Sequence, residues 1–307
     1  MDDVSAPQAS ERQAHVERLL VGAIDLHCHS GPSVMARRVD HIEATLEAEA
    51  AGMRGILFKE HYQDTSAFLP MIRRLHPDLR IEVMSGIVLN CAVGGFNPWA
   101  VDHALAMGAR VVWMPTVSAA NHIRFAFRKS ILPTRSKLLK QEAMSVLDSR
   151  GQIIDPVKQV LDVMAAHDAV LAGGHLHVSE QFPLFEEAAS RGVMRRYVNH
   201  PTYQIAASLA DIRDLASMGV MMEHSACMFI DCDSRFFEVD HLQELIEAAG
   251  PEMTLIGSDL GQTKNPQTPV QGFREIISAM IDLGHGDAAI RAMVGGNAAR
   301  LVGLDPA

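Results

Sequence analysis

The residues most suited to chemistry begin with Asp25-Leu26-His27-Cys28-His29, which closes the apolar run Leu19-Leu20-Val21-Gly22-Ala23-Ile24. A strand sends alternate side chains to one face, so His27 and His29 project together from its C-terminal end. Paired neutral imidazoles are strong donors for zinc and neighbouring divalent ions. A His-X-His pair alone carries little weight, because it also arises on ordinary surfaces. Downstream, however, other apolar runs end in Lys59 and His61, Asn90, Thr116, His175 and His177, His200, Glu223 and His224, and Asp259. Seven of the 15 histidines close five of these runs. Any one of them is as well explained by a bond to a loop carbonyl. Five strand ends together point to a metal or catalytic centre.

Eight β-rich runs must position these groups: Ala23–His29, Gly55–His61, Ile81–Leu89, Arg110–Thr116, Ala169–His177, Arg196–His200, Val220–His224 and Thr254–Asp259. Amphipathic helical stretches lie between them, including His41–Ala51, Asn97–Met107, Pro156–His167, Phe182–Ser190, Ile205–Met218, Leu242–Ala249 and Val270–Leu283. Glycines at 52, 108, 192, 219 and 284 mark helix C-termini. Strictly alternating strands and helices predict an α/β fold, a (β/α)8 TIM barrel, in one domain over residues 1–307 with residues 1–20 as an N-terminal extension. An open doubly wound sheet is the alternative, weakened because no glycine-rich phosphate fingerprint follows the first strand.

The connection at 117–155 is long for a strand-to-helix link and leaves from the active-site end, so it is expected to be a lid insertion. It carries Arg124 and Arg128, either of which could pair with an anionic group of a substrate. A solvated basic helix or a subunit contact explains them equally simply. A hairpin is expected around Asp148-Ser149-Arg150-Gly151.

With 27 basic against 37 acidic residues, the net charge is −10. That argues against nucleic acid or an anionic membrane as partner. Cys28, Cys91, Cys227 and Cys232 form neither a zinc-type pair nor a disulfide framework. No run reaches the roughly 18 apolar residues of a membrane span, and the start has no signal-like stretch. A soluble, cytoplasmic enzyme acting on a small molecule is the expectation, with homo-oligomerisation as the default assembly.

The ordered set of His27-Cys28-His29 on strand one, His175 on strand five, His200 on strand six and Asp259 on strand eight resembles the amidohydrolase superfamily of metal-dependent hydrolases. The segment Gly296-Asn297-Ala298-Ala299-Arg300-Leu301-Val302-Gly303-Leu304 is similar to the C-terminal helix common in that family. The branch it most resembles has no assigned reaction. The resemblance implies one or two divalent ions, zinc above manganese or iron. His27, His29 and Asp259 would hold one ion, with His175 and His200 completing or extending the shell. It implies hydrolysis of an amide, lactam, lactone or ester, or else decarboxylation, hydration or isomerisation on the same barrel. A barrel that binds without turnover is a further alternative, disfavoured by Asp259.

Asp259 would ligate or accept a proton, and His200 would bind metal or polarise a carbonyl. Relatives that bridge two metals through a carboxylated lysine usually take it from strand four. Here that strand ends Trp113-Met114-Pro115-Thr116, and the available lysine is Lys59 on strand two. Lys59 is therefore a bridging ligand, a cation facing substrate, or half of an ion pair, for which Glu223 is the candidate partner. His177, Glu223 and Asn90 are expected to contact substrate or to support the residues that do. Strand alternation puts His61 on the face of Lys59 and turns Glu60 away.

Overall fold

A computed structural model describes residues 6–126 and 134–305 of the chain. Eight strands, β1 (Ile24–Cys28), β2 (Gly55–Phe58), β3 (Glu82–Val88), β4 (Val111–Trp113), β5 (Val170–Ala172), β6 (Arg196–Asn199), β7 (Met221–Ser225) and β8 (Thr254–Gly257), lie in sequence order. Each is parallel to its neighbours. The sheet closes where Cys28 bridges Leu260, Asp259 N–H donates to His27 O (2.9 Å) and His29 N–H donates to Leu260 O (2.8 Å). The expected (β/α)8 barrel is present, with a strand in each of the eight expected places.

The strand ends differ from expectation. β2, β5 and β8 stop at Phe58, Ala172 and Gly257, short of Lys59, His175 and Asp259. The ladder is left through unusual backbone: Gly174 has φ +62°, His200 +36° and Asp259 +49°. Lys59, His175, His200 and Asp259 therefore hang from residues just beyond the strands, whereas His27 and Glu223 lie within β1 and β7, all at the end where barrel enzymes build their sites.

Helices surround the barrel: α1 (Ala6–Leu20), α2 (His41–Ala50), α3 (Phe68–Leu75), α4 (Pro98–Ala106), α5 (Ala120–Ala126), α6 (Asp155–Ala166), α7 (Val178–Ser190), α8 (Leu209–Ser217), α9 (Val239–Ala249), α10 (Pro269–Asp282), α11 (Asp287–Arg291) and α12 (Asn297–Val302). Three helix starts shift by three or four residues, α9 beginning at Val239 rather than at Leu242. α7 begins four residues before the expected Phe182, and α8 begins at Leu209 because Ser208 caps it through Asp211 N. The N-terminal segment is more than an extension. α1 buries Val16, Leu19 and Leu20 and docks on α10, where Arg12 donates to Ser278 O (2.7 Å) and Arg274 pairs with Glu17 (2.7 Å).

Apolar side chains form two layers, one between strands and helices and one inside the barrel. The inner layer includes Ile24, Leu57, Trp113, Tyr197 and Leu255, and α12 contributes Ala298, Leu301 and Val302 to it, closing the N-terminal end. Asn297 fastens that helix by donating to Thr254 O (2.6 Å) and Pro251 O (2.7 Å).

The long connection after β4 contains α5 and a hairpin in which Leu147 pairs with Ile153 around Gly151 (φ +76°), as expected. Ala119 bridges Met144, and Thr134 bridges Met35 of the loop after β1. Residues 127–133, Arg128 among them, lie outside the described residues. Among the described residues no helix is long and apolar enough to cross a membrane.

Candidate metal centre

His27 and His29 leave β1 on one face, and each has one ring nitrogen already engaged. His27 Nδ1 meets Glu223 Oε1 at 2.7 Å, and His29 Nδ1 meets the carbonyl of Lys59 at 2.9 Å. Carboxylate and carbonyl oxygens accept, so both Nδ1 atoms carry protons and both Nε2 atoms keep their lone pairs, that of His27 shared with the Lys59 ammonium at 2.8 Å. Those Nε2 atoms face one oxygen, Asp259 Oδ1, at 3.4 Å from His27 and 3.1 Å from His29. The donor atoms of the three residues lie within 4.8 Å of one another. Two imidazoles and a carboxylate whose free lone pairs converge, with the other nitrogens held by acceptors, fit a divalent ion of the zinc type.

The seam beneath is fixed by Asp25. Its carboxyl accepts from His27 N (2.9 Å), Ser258 N (2.9 Å) and Ser258 Oγ (2.5 Å), joining β1 to the end of β8. Burial raises the Asp25 pKa against these hydrogen bonds. Asp259 goes the other way. Burial would raise its pKa, but the His27, His29 and His200 rings around it hold it well below the usual carboxylate range. Burial pulls His29 down to about 3 and His200 down to about 4, so both imidazoles are neutral near pH 7.

Lys59 is buried at 1% exposure, and Nζ lies 2.8 Å from His27 Nε2. Burial lowers its pKa to about 8, with Asp259 and Glu223 pulling upward. Of the three readings of Lys59, the ion pair with Glu223 does not form: among the described residues no carboxylate oxygen lies within 4.0 Å of Nζ. Glu60 turns away and pairs with Arg37 at 2.9 Å, as strand alternation requires. Glu223 turns inward and His224 outward, so Glu223 stands behind His27 rather than on the cavity wall.

His29, Lys59, His61, His175 and His200 line one cavity with Asp259. His175 and His200 stand outside the cluster of converging donor atoms, their ring centroids 5.1 Å apart. Asn199 Nδ2 donates to Gly174 O (3.2 Å) and meets His200 Nε2 at 2.9 Å. That leaves His200 Nδ1, buried and without a partner, as the protonated nitrogen. Gln262, Lys264, Tyr203, Phe236 and Met228 form the mouth.

Three expected substrate contacts lie elsewhere. His177 caps α7, its Nδ1 accepting from Ser179 N at 3.2 Å, because β5 ends before it and alternation with His175 is lost. Asn90 uses its whole hydrogen-bonding capacity internally: Oδ1 accepts from Thr116 N and Ser118 N, and Nδ2 donates to His61 O and Thr116 Oγ1. Arg124 is exposed on α5 and is not among the cavity-lining residues.

His122, also on α5, was not singled out from the sequence. Its ring stacks on His175 (centroids 4.8 Å apart), with Nδ1 2.8 Å from His175 Nδ1 and 2.6 Å from Gln204 Oε1. It lies inside the long connection rather than at a strand end, so spacing could not reveal it.

The profile of DUF6282, a family of unknown function, matches residues 22–223. No curated protein matches the sequence. Among solved structures, an amidohydrolase from Pseudomonas aeruginosa is 10% identical, with a TM-score of 0.62 over 94% of this chain and 98% of that one. An organophosphorus hydrolase mutant from Deinococcus radiodurans is 14% identical, with a TM-score of 0.60 over 92% and 93%. A 2,6-dihydroxybenzoate decarboxylase from Rhizobium is 10% identical, with a TM-score of 0.56 over 92% and 99%. At these identities the likeness is one of fold: this barrel is the one those enzymes use.

Proposed function

The chain belongs to the DUF6282 family, and from that premise and the site geometry we propose that it is a metal-dependent hydrolase of a small-molecule amide, lactam, lactone or ester. The observation that carries this reading is the convergence of His27 Nε2, His29 Nε2 and Asp259 Oδ1 within 4.8 Å. A divalent ion held there, zinc by its donor set, would acidify a bound water and polarise the carbonyl.

The chain's own residues supply the rest. Asp259, kept ionised by the surrounding imidazoles, either ligates or accepts the water proton. Gln262 Nε2 donates to the Asp259 carbonyl oxygen (3.0 Å) and steadies that turn. His200 offers its unpartnered Nδ1–H to the carbonyl oxygen as charge develops there. His175, backed by His122 and Gln204, completes the imidazole wall. We assign one ion to the site, with Lys59 facing substrate.

The second reading, a decarboxylase, hydratase or isomerase using the same residues, draws support from the barrel shared with the Rhizobium decarboxylase.

Metal content tests the proposal. Protein purified without chelators, or reconstituted with zinc, manganese or iron, should hold about one ion per chain. His27→Ala/His29→Ala should lose it, whereas Lys59→Ala should retain it. No metal under any of these conditions overturns the reading. Two ions falling to one in Lys59→Ala would replace the single ion with a lysine-bridged pair. Oxygen from labelled water in the product identifies hydrolysis, and released carbon dioxide identifies the second reading.

A further inference from the structure

We infer that the imidazole of His61 and the ammonium of Lys59 form a subsite for a carboxylate of the substrate, with His61 donating through Nε2–H. The inference deepens the proposed function and rests on it for the identity of the site as a substrate pocket.

The tautomer of His61 follows from a chain of hydrogen bonds. Asn90 Oδ1 accepts two backbone N–H groups, Thr116 N at 2.8 Å and Ser118 N at 3.1 Å, which sets the orientation of the amide. Its Nδ2 therefore donates, to His61 O at 2.8 Å and to Thr116 Oγ1 at 2.7 Å. Thr116 is fully buried, and its other partner is His61 Nδ1 at 2.8 Å. The hydroxyl proton thus goes to Nδ1. Were Nδ1 to donate instead, that proton would be buried without an acceptor, which is costly. With Nδ1 accepting, a neutral His61 carries its proton on Nε2. An N–H nitrogen has no lone pair for a metal, so His61 enters the cavity as a hydrogen-bond donor.

Lys59 supplies the charge. Its three N–H groups have one hydrogen-bond partner among the described residues, His27 Nε2 at 2.8 Å, and the Trp113 ring 5.6 Å away. The His27 nitrogen is also a proposed metal donor, and its lone pair serves one partner at a time. Given to a cation, it leaves a buried ammonium in need of an acceptor, which is costly unless an anion arrives. Residues 59 and 61 follow the same strand on the same side and line the same cavity. One charged and one neutral N–H donor lining one cavity suit the two oxygens of a carboxylate. At the mouth, the Tyr203 and Phe236 rings, with centroids 4.1 Å apart, and Met228 offer an apolar wall for the body of such a molecule.

Benzoate is the probe, titrated calorimetrically into zinc-loaded and metal-free protein, with benzamide as the uncharged counterpart. Benzoate should bind saturably and at least tenfold more tightly than benzamide. Its affinity should fall at least tenfold in His61→Phe and in Lys59→Met, with zinc content unchanged in His61→Phe. Thr116→Val keeps the imidazole but removes the donor that fixes its tautomer, and it should weaken benzoate severalfold. Nitrogen-15 spectra of the histidine rings should show His61 as the Nε2–H form in the wild type and a mixture in Thr116→Val. These two readouts serve if His61→Phe does not fold.

The inference is overturned by an Nδ1–H tautomer at His61, by zinc loss in His61→Phe, by benzamide binding as tightly as benzoate, or by unchanged benzoate affinity in the variants. Failure of the metal reading appears separately, as an absence of zinc in protein that still binds benzoate through His61.

Discussion

At the residue scale, Glu223 has the most predictable influence. It accepts from His27 Nδ1 at 2.7 Å, which directs the lone pair of Nε2 toward Asp259. Outer carboxylates of this kind are worth about 10–100-fold in metal affinity. Glu223→Gln should lower zinc affinity by that order, measured by competition with a chromogenic chelator, while the fold persists. Unchanged affinity would mean that Glu223 does not orient the ring. The sequence made His27, His29 and Asp259 legible because each sits at the end of an apolar run. It favoured Glu223 over His224 as the inward residue but not its place behind His27, since both lie in β7 and only the pleat and the packed neighbours set what each one meets. His122 and the Asn90–Thr116–His61 chain were hidden, because hydrogen bonds between residues far apart in sequence leave no local pattern.

At the element scale, the turn between β5 and α7 controls where His175 stands. Gly174 has φ +62°, and a Cβ there would meet the carbonyl oxygen of Met114 at 2.2 Å and that of Pro115 at 2.7 Å. The backbone on one side must then give way. Gly174→Ala should destabilise the protein by about 2 kcal/mol or more, seen as a lower denaturation midpoint, and should displace His175. A neutral result would show that the turn adjusts freely. His177→Ala tests the neighbouring cap. It should cost about 1 kcal/mol of stability and leave metal content untouched, whereas metal loss would restore His177 to the site. Strand positions were legible from apolar runs, but strand ends were not. At the rim the same residue types continue while the backbone leaves the ladder, as His200 and Asp259 do with positive φ.

At the scale of the whole molecule, the alternation of eight strands with helices made the barrel legible, and the missing glycine-rich fingerprint after the first strand favoured it over an open sheet. The docking of α1 was not legible: its apolar positions matter only once α10 is beside it. Buried neutral histidines also shape the response to acid. Burial lowers His41 and His224 to about 4, against an unfolded value of about 6.5. Between those values the unfolded chain binds protons that the folded chain refuses. Stability is therefore full above about pH 6.5 and declines as pH falls toward 4, by roughly 3 kcal/mol per histidine at most. Urea midpoints of metal-free protein should drop between pH 7 and pH 5, less steeply in His41→Asn. A flat profile would refute the assignment.

The three converging donors come from the first strand and from the turn after the eighth. A chain emerging from the ribosome therefore presents His27 and His29 early and waits for nearly the whole barrel before Asp259 can join them. Coordination by all three marks the completed circle, like a clasp on a bracelet. Fragments ending before the eighth strand would hold an ion only through the histidine pair, and an ion seated on all three would resist the parting of β1 from β8.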